Sequence, residues 1–235
     1  MKALRSEKEK VETLLRDNFK ESKPTIRFAG SKAKGTMIRK SYDLDMTCYF
    51  EHEDQKPGES LKDIFVNVQK ALEEKYIVSP KTSALRLLDK DPKNFRVDFH
   101  IDVVPGRFVN DEKGDVFLFQ SDGEKERLQT NLDKHVTHIK GSRLQEIIKL
   151  VKVWKIRKGL QIKTFVLELL VVEVLKKEDP NKLDECLKAL WKELRDNIDG
   201  IKIEDPANPS GNDLSNLFNE SVRSVLKSAS TISLL

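Results

Sequence analysis

The chain has 235 residues, of which 38% are apolar, 7% aromatic and 35% charged, enough apolar side chains for a core beneath a strongly solvated surface. No run of about 18 uncharged apolar residues occurs, which excludes an ordinary spanning helix; the longest apolar stretch, Phe165 to Leu175, is interrupted by Glu168 and Glu173. Cys48 and Cys186 are too few for a disulfide framework or a cysteine zinc site. The opening residues, MKALRSEKEK, lack the apolar segment of a secretory signal, so a soluble, cytoplasmic protein without membrane contact is expected. Formal net charge is +4, but residues 1–50 hold 12 Lys/Arg against seven Asp/Glu, or +5, which leaves −1 for the remainder. A basic end can attract phosphates, although an ordinary solvated helix face is the simpler account of it.

Val11, Leu14, Leu15 and Phe19 have helical spacing, which predicts an amphipathic first helix. Thr25 to Ala29, set between Pro24 and Gly30, reads as a strand running into a turn. Leu44, Met46, Cys48 and Phe50 alternate with Asp43, Asp45, Thr47 and Tyr49, a period-two strand; Cys48 falls on its apolar face. Leu61 to Lys75 has helical spacing. Phe95, Val97, Phe99, Ile101 and Val103 alternate with polar residues to give a second strand, and Val116 to Phe119 a further one. Beyond residue 130 the pattern turns helical. Leu144 to Trp154 and Leu183 to Leu194 are amphipathic, while Lys163 to Lys176, apolar on most sides, reads as a buried central helix. Strands first and helices second imply an α+β lobe, residues 1–128, packed on a helical lobe, residues 129–235. A cleft between two such lobes is the default place for a ligand.

The chemistry concentrates in Gly30-Ser31-Lys32-Ala33-Lys34-Gly35-Thr36, followed by Tyr42-Asp43-Leu44-Asp45. Gly30 permits a tight turn that presents backbone N–H groups to an anion, and Ser31 adds a hydroxyl donor. Thr36 is placed to cap a following short helix. Asp43 and Asp45, two apart on a strand, leave from one face with Cα atoms about 6.5–7 Å apart. Carboxylates so placed suit hard ions such as Mg²⁺, and two ions about 3.5–4 Å apart can hold an attacking and a leaving oxygen in line. A third carboxylate is expected from a neighbouring strand. His100-Ile101-Asp102-Val103-Val104-Pro105 supplies Asp102 in the phase opposite the apolar face, whereas Asp98 lies roughly 13 Å further along the strand and is set aside.

The ordered set of G-S, K-G-T, D-x-D and a later D-V-V-P strand resembles nucleotidyltransferases of the DNA polymerase β superfamily. Lys152-Val153-Trp154 and Thr164-Phe165-Val166-Leu167-Glu168 resemble the K-x-W and S-Y-x-L-E helices of its template-independent branch. That branch includes oligoadenylate synthetases, cyclic GMP-AMP synthase-like enzymes and bacterial CD-NTases. Asp205-Pro206-Ala207-Asn208-Pro209 to Asn212 resembles the D-P-x-x-P-x-x-N segment of oligoadenylate synthetases and archaeal CCA-adding enzymes, and Thr130-Asn131 to His135 a stretch of bacterial members with Leu132 in place of a proline. The resemblance implies an α+β fold, with a mixed-sheet catalytic lobe, a helical lobe and the active site in their cleft. It implies Asp43, Asp45 and Asp102 as catalytic, metal-binding residues holding two divalent ions, Mg²⁺ or Mn²⁺. Gly30 and Ser31 would hold the terminal phosphates, with Lys34 adding charge and Lys152 reaching the triphosphate. Thr164 stands for the family's Ser; Phe165 replaces its Tyr and serves either as core or as a base platform. Trp154 reads as core, and Asp205 with Asn212 as residues that fix a loop.

The reaction implied is nucleotidyl transfer among ribonucleoside triphosphates to a short oligonucleotide messenger, linear or cyclic, with antiviral signalling as its setting. Its partners would be nucleoside triphosphates, an RNA or nucleotide acceptor and an activating protein. The alternatives are a tRNA CCA-adding or other RNA-tailing enzyme and, in another class, a noncatalytic nucleotide-binding or antitoxin-like module.

Overall fold

The computed structural model describes residues 2–39, 42–90, 99–122, 125–208, 210, 212 and 214–234; for residues 2–5, 42, 43, 99, 100 and 215 the description is of the backbone alone. The chain divides into two units, residues 1–33 with 41–133, and residues 34–40 with 134–235. Among the described residues no helix is long and apolar enough to cross a membrane.

The first unit is built on a seven-stranded mixed sheet. Its strands are β1 (Thr25–Phe28), β2 (Tyr42–Phe50), β3 (Tyr76–Pro80), β4 (Leu85–Asp89), β5 (Phe99–Phe108), β6 (Val116–Phe119) and β7 (Arg127–Thr130). They run in the order β1-β2-β5-β4-β3, with β6 beside β5 and β7 beside β6. β2 and β5 are parallel and the remaining pairs antiparallel. The helices are α1 (Lys2–Asn18), the short α2 (Gly30–Lys34) and α3 (Leu61–Glu73). A reciprocal cap starts α3: Ser60 Oγ accepts from Asp63 N–H at 3.1 Å and the Asp63 carboxylate accepts from Ser60 N–H at 2.9 Å. Leu44, Met46, Cys48 and Phe50 of β2 are buried with Leu85, Leu87, Ile101 and Val103 against Val11, Leu14 and Leu15 of α1 and Ile64, Val68 and Leu72 of α3. Because successive side chains alternate, Asp45, Arg86 and Asp102 belong to the other face of the sheet.

The second unit is helical: α4 (Leu132–Gly141), α5 (Gln145–Arg157), α6 (Thr164–Leu175), α7 (Leu183–Asp196) and α8 (Glu220–Ser233). Its core joins Ile148 and Val151 of α5, Leu167, Leu170 and Val171 of α6, Leu190 and Leu194 of α7, and Leu226 of α8. Residues Val166 to Val172 of α6 are buried without interruption, as its all-round apolar character requires. Trp154 stacks on Trp191 with ring centroids 4.2 Å apart and donates its indole N–H to Ser233 Oγ at 2.9 Å, which packs it, partly buried, against the core.

The α+β class expected from the sequence holds, and β2, α3, β6, α5, α6 and α7 lie where periodicity places them. Thr36 is a correction. The short helix precedes it, from Gly30 to Lys34, and the Thr36 hydroxyl donates instead to Glu168. Gly35, at φ +75°, ends that helix one residue earlier. Phe95, Val97 and Asp98 lie outside the described residues.

Leu170 is fully buried at the centre of the helical core. Leu170→Ala is expected to cost about 2–5 kcal/mol, read as a lower urea midpoint with an unchanged slope.

Candidate active site

In the first unit the site is assembled by strand register. Asp45 on β2 and Asp102 on β5 are direct cross-strand partners, so their backbones are about 4.8 Å apart. The β1-to-α2 turn is tied to the same point, because Ala29 N–H donates to the Asp45 carbonyl at 2.8 Å. Gly30 follows at φ +52°, and a Cβ there would overlap the Asp45 carboxylate, 2.5 Å from its Cγ. Only glycine allows the turn this close to Asp45. Ser31 lies in the first turn of α2, half-buried. The backbone of Asp43 pairs in register with His100; its side chain lies outside the described residues, so the structure brings together Gly30, Asp45 and Asp102 of the expected set.

Sequence reasoning missed Arg86. It sits on β4 in register with Asp102, and its guanidinium grips both carboxylate oxygens, Nε to Oδ1 at 2.8 Å and Nη2 to Oδ2 at 2.7 Å. The forked geometry fixes the plane of the Asp102 carboxylate. A carboxylate offers about four lone-pair sites, so a two-pronged guanidinium still leaves Asp102 oxygen capacity for a cation. Asp45 and Asp102 thus fit a hard divalent ion in donor type. Among the described residues no group of three or more His, Cys, Asp or Glu side chains is gathered to hold a metal. The third donor of the expected set is Asp43.

In the second unit, Lys34, Thr36, Lys152 and Glu168 form one buried polar cluster. Lys34 Nζ donates to Glu168 Oε2, the Thr36 hydroxyl to Oε1 at 2.5 Å, and Lys152 Nζ lies 2.5 Å from Oε1. Lys152 also donates to the Thr36 carbonyl and hydroxyl oxygens at 3.0 and 2.9 Å. Burial pushes the Glu168 carboxyl upward, but the Lys34 and Lys152 ammonium groups outweigh it and hold the group below the usual carboxylate range. Thr164 Oγ1 accepts from Lys155 Nζ at 3.3 Å. Phe165 is partly buried against the helical core. His135 stacks on its ring, centroids 5.0 Å apart and planes within 7°, and Lys34 Nζ stands 5.7 Å from its centroid.

Asp205 closes the loop expected of it. It accepts from Ala207 N–H at 2.8 Å and from Asn212 Nδ2 at 2.6 Å. His135 Nε2 lies 2.8 Å from Asp205 Oδ1. Burial raises the Asp205 carboxyl, yet His135, Asn212 and the Ala207 N–H together bring it below its ordinary value. His135 is thereby set flat against Phe165, a role that its spacing from His138 could not reveal. A separate cavity of about 390 Å³, with both charge signs on its lining, opens beside Asp205 among His138, Glu173, Lys176, Lys202 and Glu204.

Gly30→Ala must move Asp45 or the turn, and the left-handed backbone alone is expected to cost about 1–3 kcal/mol, measured by urea unfolding. Asp205 has its folded pKa below the unfolded one. Its stability contribution is therefore full above the ordinary value of 3.8 and is lost as pH falls through the lower folded value. Thermal unfolding followed from pH 6 downward should show this acid limb in the natural chain and a flatter one in Asp205→Asn.

No protein-family model matches the chain, and no curated protein matches it. Solved structures do. Escherichia coli MS115-1 CdnC with ATP is 22% identical at a TM-score of 0.70, over 98% of this chain and 83% of that one. Elizabethkingia meningoseptica CdnE, a cyclic dinucleotide synthase with GTP and Apcpp, is 13% identical at 0.69, over 97% and 89%. Vibrio cholerae DncV, a cyclic AMP-GMP synthase and prokaryotic cGAS homolog, is 18% identical at 0.68; the match covers 92% of this chain and 65% of that one. At these identities the likeness is one of fold: the chain has the mixed α+β fold of CdnC, CdnE and DncV.

Proposed function

We propose that the protein is a template-independent nucleotidyltransferase that joins ribonucleoside triphosphates into a short oligonucleotide, cyclic in the form its structural neighbours suggest. The observation that carries this reading is the cross-strand pair Asp45 and Asp102 with the Gly30 backbone seated on the Asp45 carboxylate, inside a fold shared with proteins described as cyclic dinucleotide synthases. A ribose hydroxyl oxygen bonds to the α-phosphorus of a triphosphate, the bond from that phosphorus to the bridging oxygen breaks, and pyrophosphate leaves. Divalent ions held by Asp45, Asp102 and Asp43 would neutralise phosphoryl oxygens and favour in-line geometry. Asp102, its carboxylate plane set by Arg86, orients the attacking hydroxyl and accepts its proton. Gly30 N–H and the Ser31 hydroxyl bind terminal phosphate oxygens. Resemblance gives Lys34, Lys152 and Thr164 to the triphosphate and Phe165 to the base, and His135 extends that aromatic surface. One neighbour, CdnC, is known as a complex with HORMA-deltaN, which supports a protein activator here.

The test is incubation with all four ribonucleoside triphosphates and Mg²⁺, with and without tRNA, followed by phosphatase treatment and mass spectrometry. A phosphatase-resistant oligonucleotide formed without RNA is expected. Asp45→Asn and Asp102→Asn should each lower its rate by at least about 100-fold while melting within a few degrees of the natural chain. Labelled tRNA, or unchanged turnover in either variant, would overturn the reading.

A further inference from the structure

Glu168 is a fully buried carboxylate on a helix whose neighbouring side chains, Val166 to Val172, are otherwise apolar. A buried ion cluster generally adds little stability over apolar packing of the same volume. What it supplies is fixed geometry, and here that geometry separates two lysines by role. The three N–H groups of Lys152 have three acceptors close by: the Thr36 carbonyl, the Thr36 hydroxyl and Glu168 Oε1. Lys34 donates to Glu168 Oε2, its one hydrogen-bond acceptor among the described residues, which leaves two ammonium protons undirected. Lys34 and Thr36 flank Gly35, whose left-handed φ of +75° makes the bend between them. Glu168 thus holds both sides of one turn, and Lys152 locks its far side.

We infer that Glu168 is a positioning residue that aims the Lys34 ammonium at the triphosphate, and that Lys152 supports the same turn. This rests on the nucleotidyltransferase reading and refines it, because the resemblance gives both lysines to the triphosphate and assigns Glu168 no role. Lys34, Lys152 and Glu168 together carry a formal +1, which suits a polyanionic ligand. Because Glu168 acts through Lys34, removing its hold should matter only while Lys34 is present.

The experiment is a double-mutant cycle of Glu168→Asp and Lys34→Met. The shortened acid keeps the charge but withdraws it by about 1.5 Å, one carbon–carbon bond. Binding of adenosine 5′-(α,β-methylene)triphosphate and of adenosine is measured by calorimetry with Mg²⁺, alongside hydrogen exchange of residues 30–40. Each single substitution is expected to weaken the triphosphate analogue about tenfold and to leave adenosine within about twofold. On the Lys34→Met background, Glu168→Asp should cost less than about twofold. Exchange in residues 34–40 should rise with Glu168→Asp while α5 and α6 remain protected. Equal losses from Glu168→Asp in both backgrounds, or faster exchange throughout the helical unit, would reduce Glu168 to a structural residue and overturn the inference. A natural chain that binds no triphosphate analogue would instead overturn the transferase reading beneath it.

Discussion

Side chains leave a strand alternately from its two faces, so the register between β2 and β5 governs what the first unit presents. Leu44 lies opposite Ile101 and Asp45 opposite Asp102. The apolar pair goes beneath α1 and α3, and the acidic pair goes to the other side. A slip of one residue in both strands would thrust two carboxylates among Leu14, Ile64 and Val68, where the buried neighbours are apolar. The same register on the opposite edge of β5 sets Arg86 beside Asp102. Three charged groups from three strands are therefore placed by one alternation, and the hydrophobic core is what enforces it.

Much of this was legible in the sequence, because alternation and helical spacing are local signals. Leu44 to Phe50 announced β2, and the run after Thr164, apolar but for Glu168 and Glu173, announced α6. The hairpin of β3 and β4 was not legible. Ile77 and Leu88 are cross-strand partners that remain exposed, so β3 and β4 lack the clean two-sided contrast of β2. α8 was missed although Val222, Leu226 and Ala229 have helical spacing, because half of its residues are Ser, Thr or Lys and dilute that apolar stripe.

The candidate site divides along the same line. Gly30, Ser31 and the three aspartates belong to short motifs that can be read directly. Arg86 could not be, since its meaning comes from a β5 partner, Asp102, 16 positions along the chain. Nor could the partnership of Lys34, Thr36 and Lys152 with Glu168, which joins segments 134 and 132 residues apart at Lys34 and Thr36. An acid inside an apolar helix was visible; the cations that make its burial tolerable were not. His135 presents the same difficulty, for nothing in Thr130 to His135 shows that its ring will lie on Phe165 with Asp205 beside it.

The seven residues 34–40 group with the helical unit although the chain on both sides of them belongs to the sheet unit. Dissection of the gene at residue 133 would therefore not yield two faithful halves. A fragment covering 134–235 would retain Glu168 and Lys152 but forfeit the Lys34 ammonium and the Thr36 hydroxyl that share its burial. The complementary fragment would carry those two groups with no carboxylate to receive them. The helical half is thus discontinuous in the gene, and only a permuted or co-expressed arrangement that returns this heptapeptide to it would reconstitute its interior.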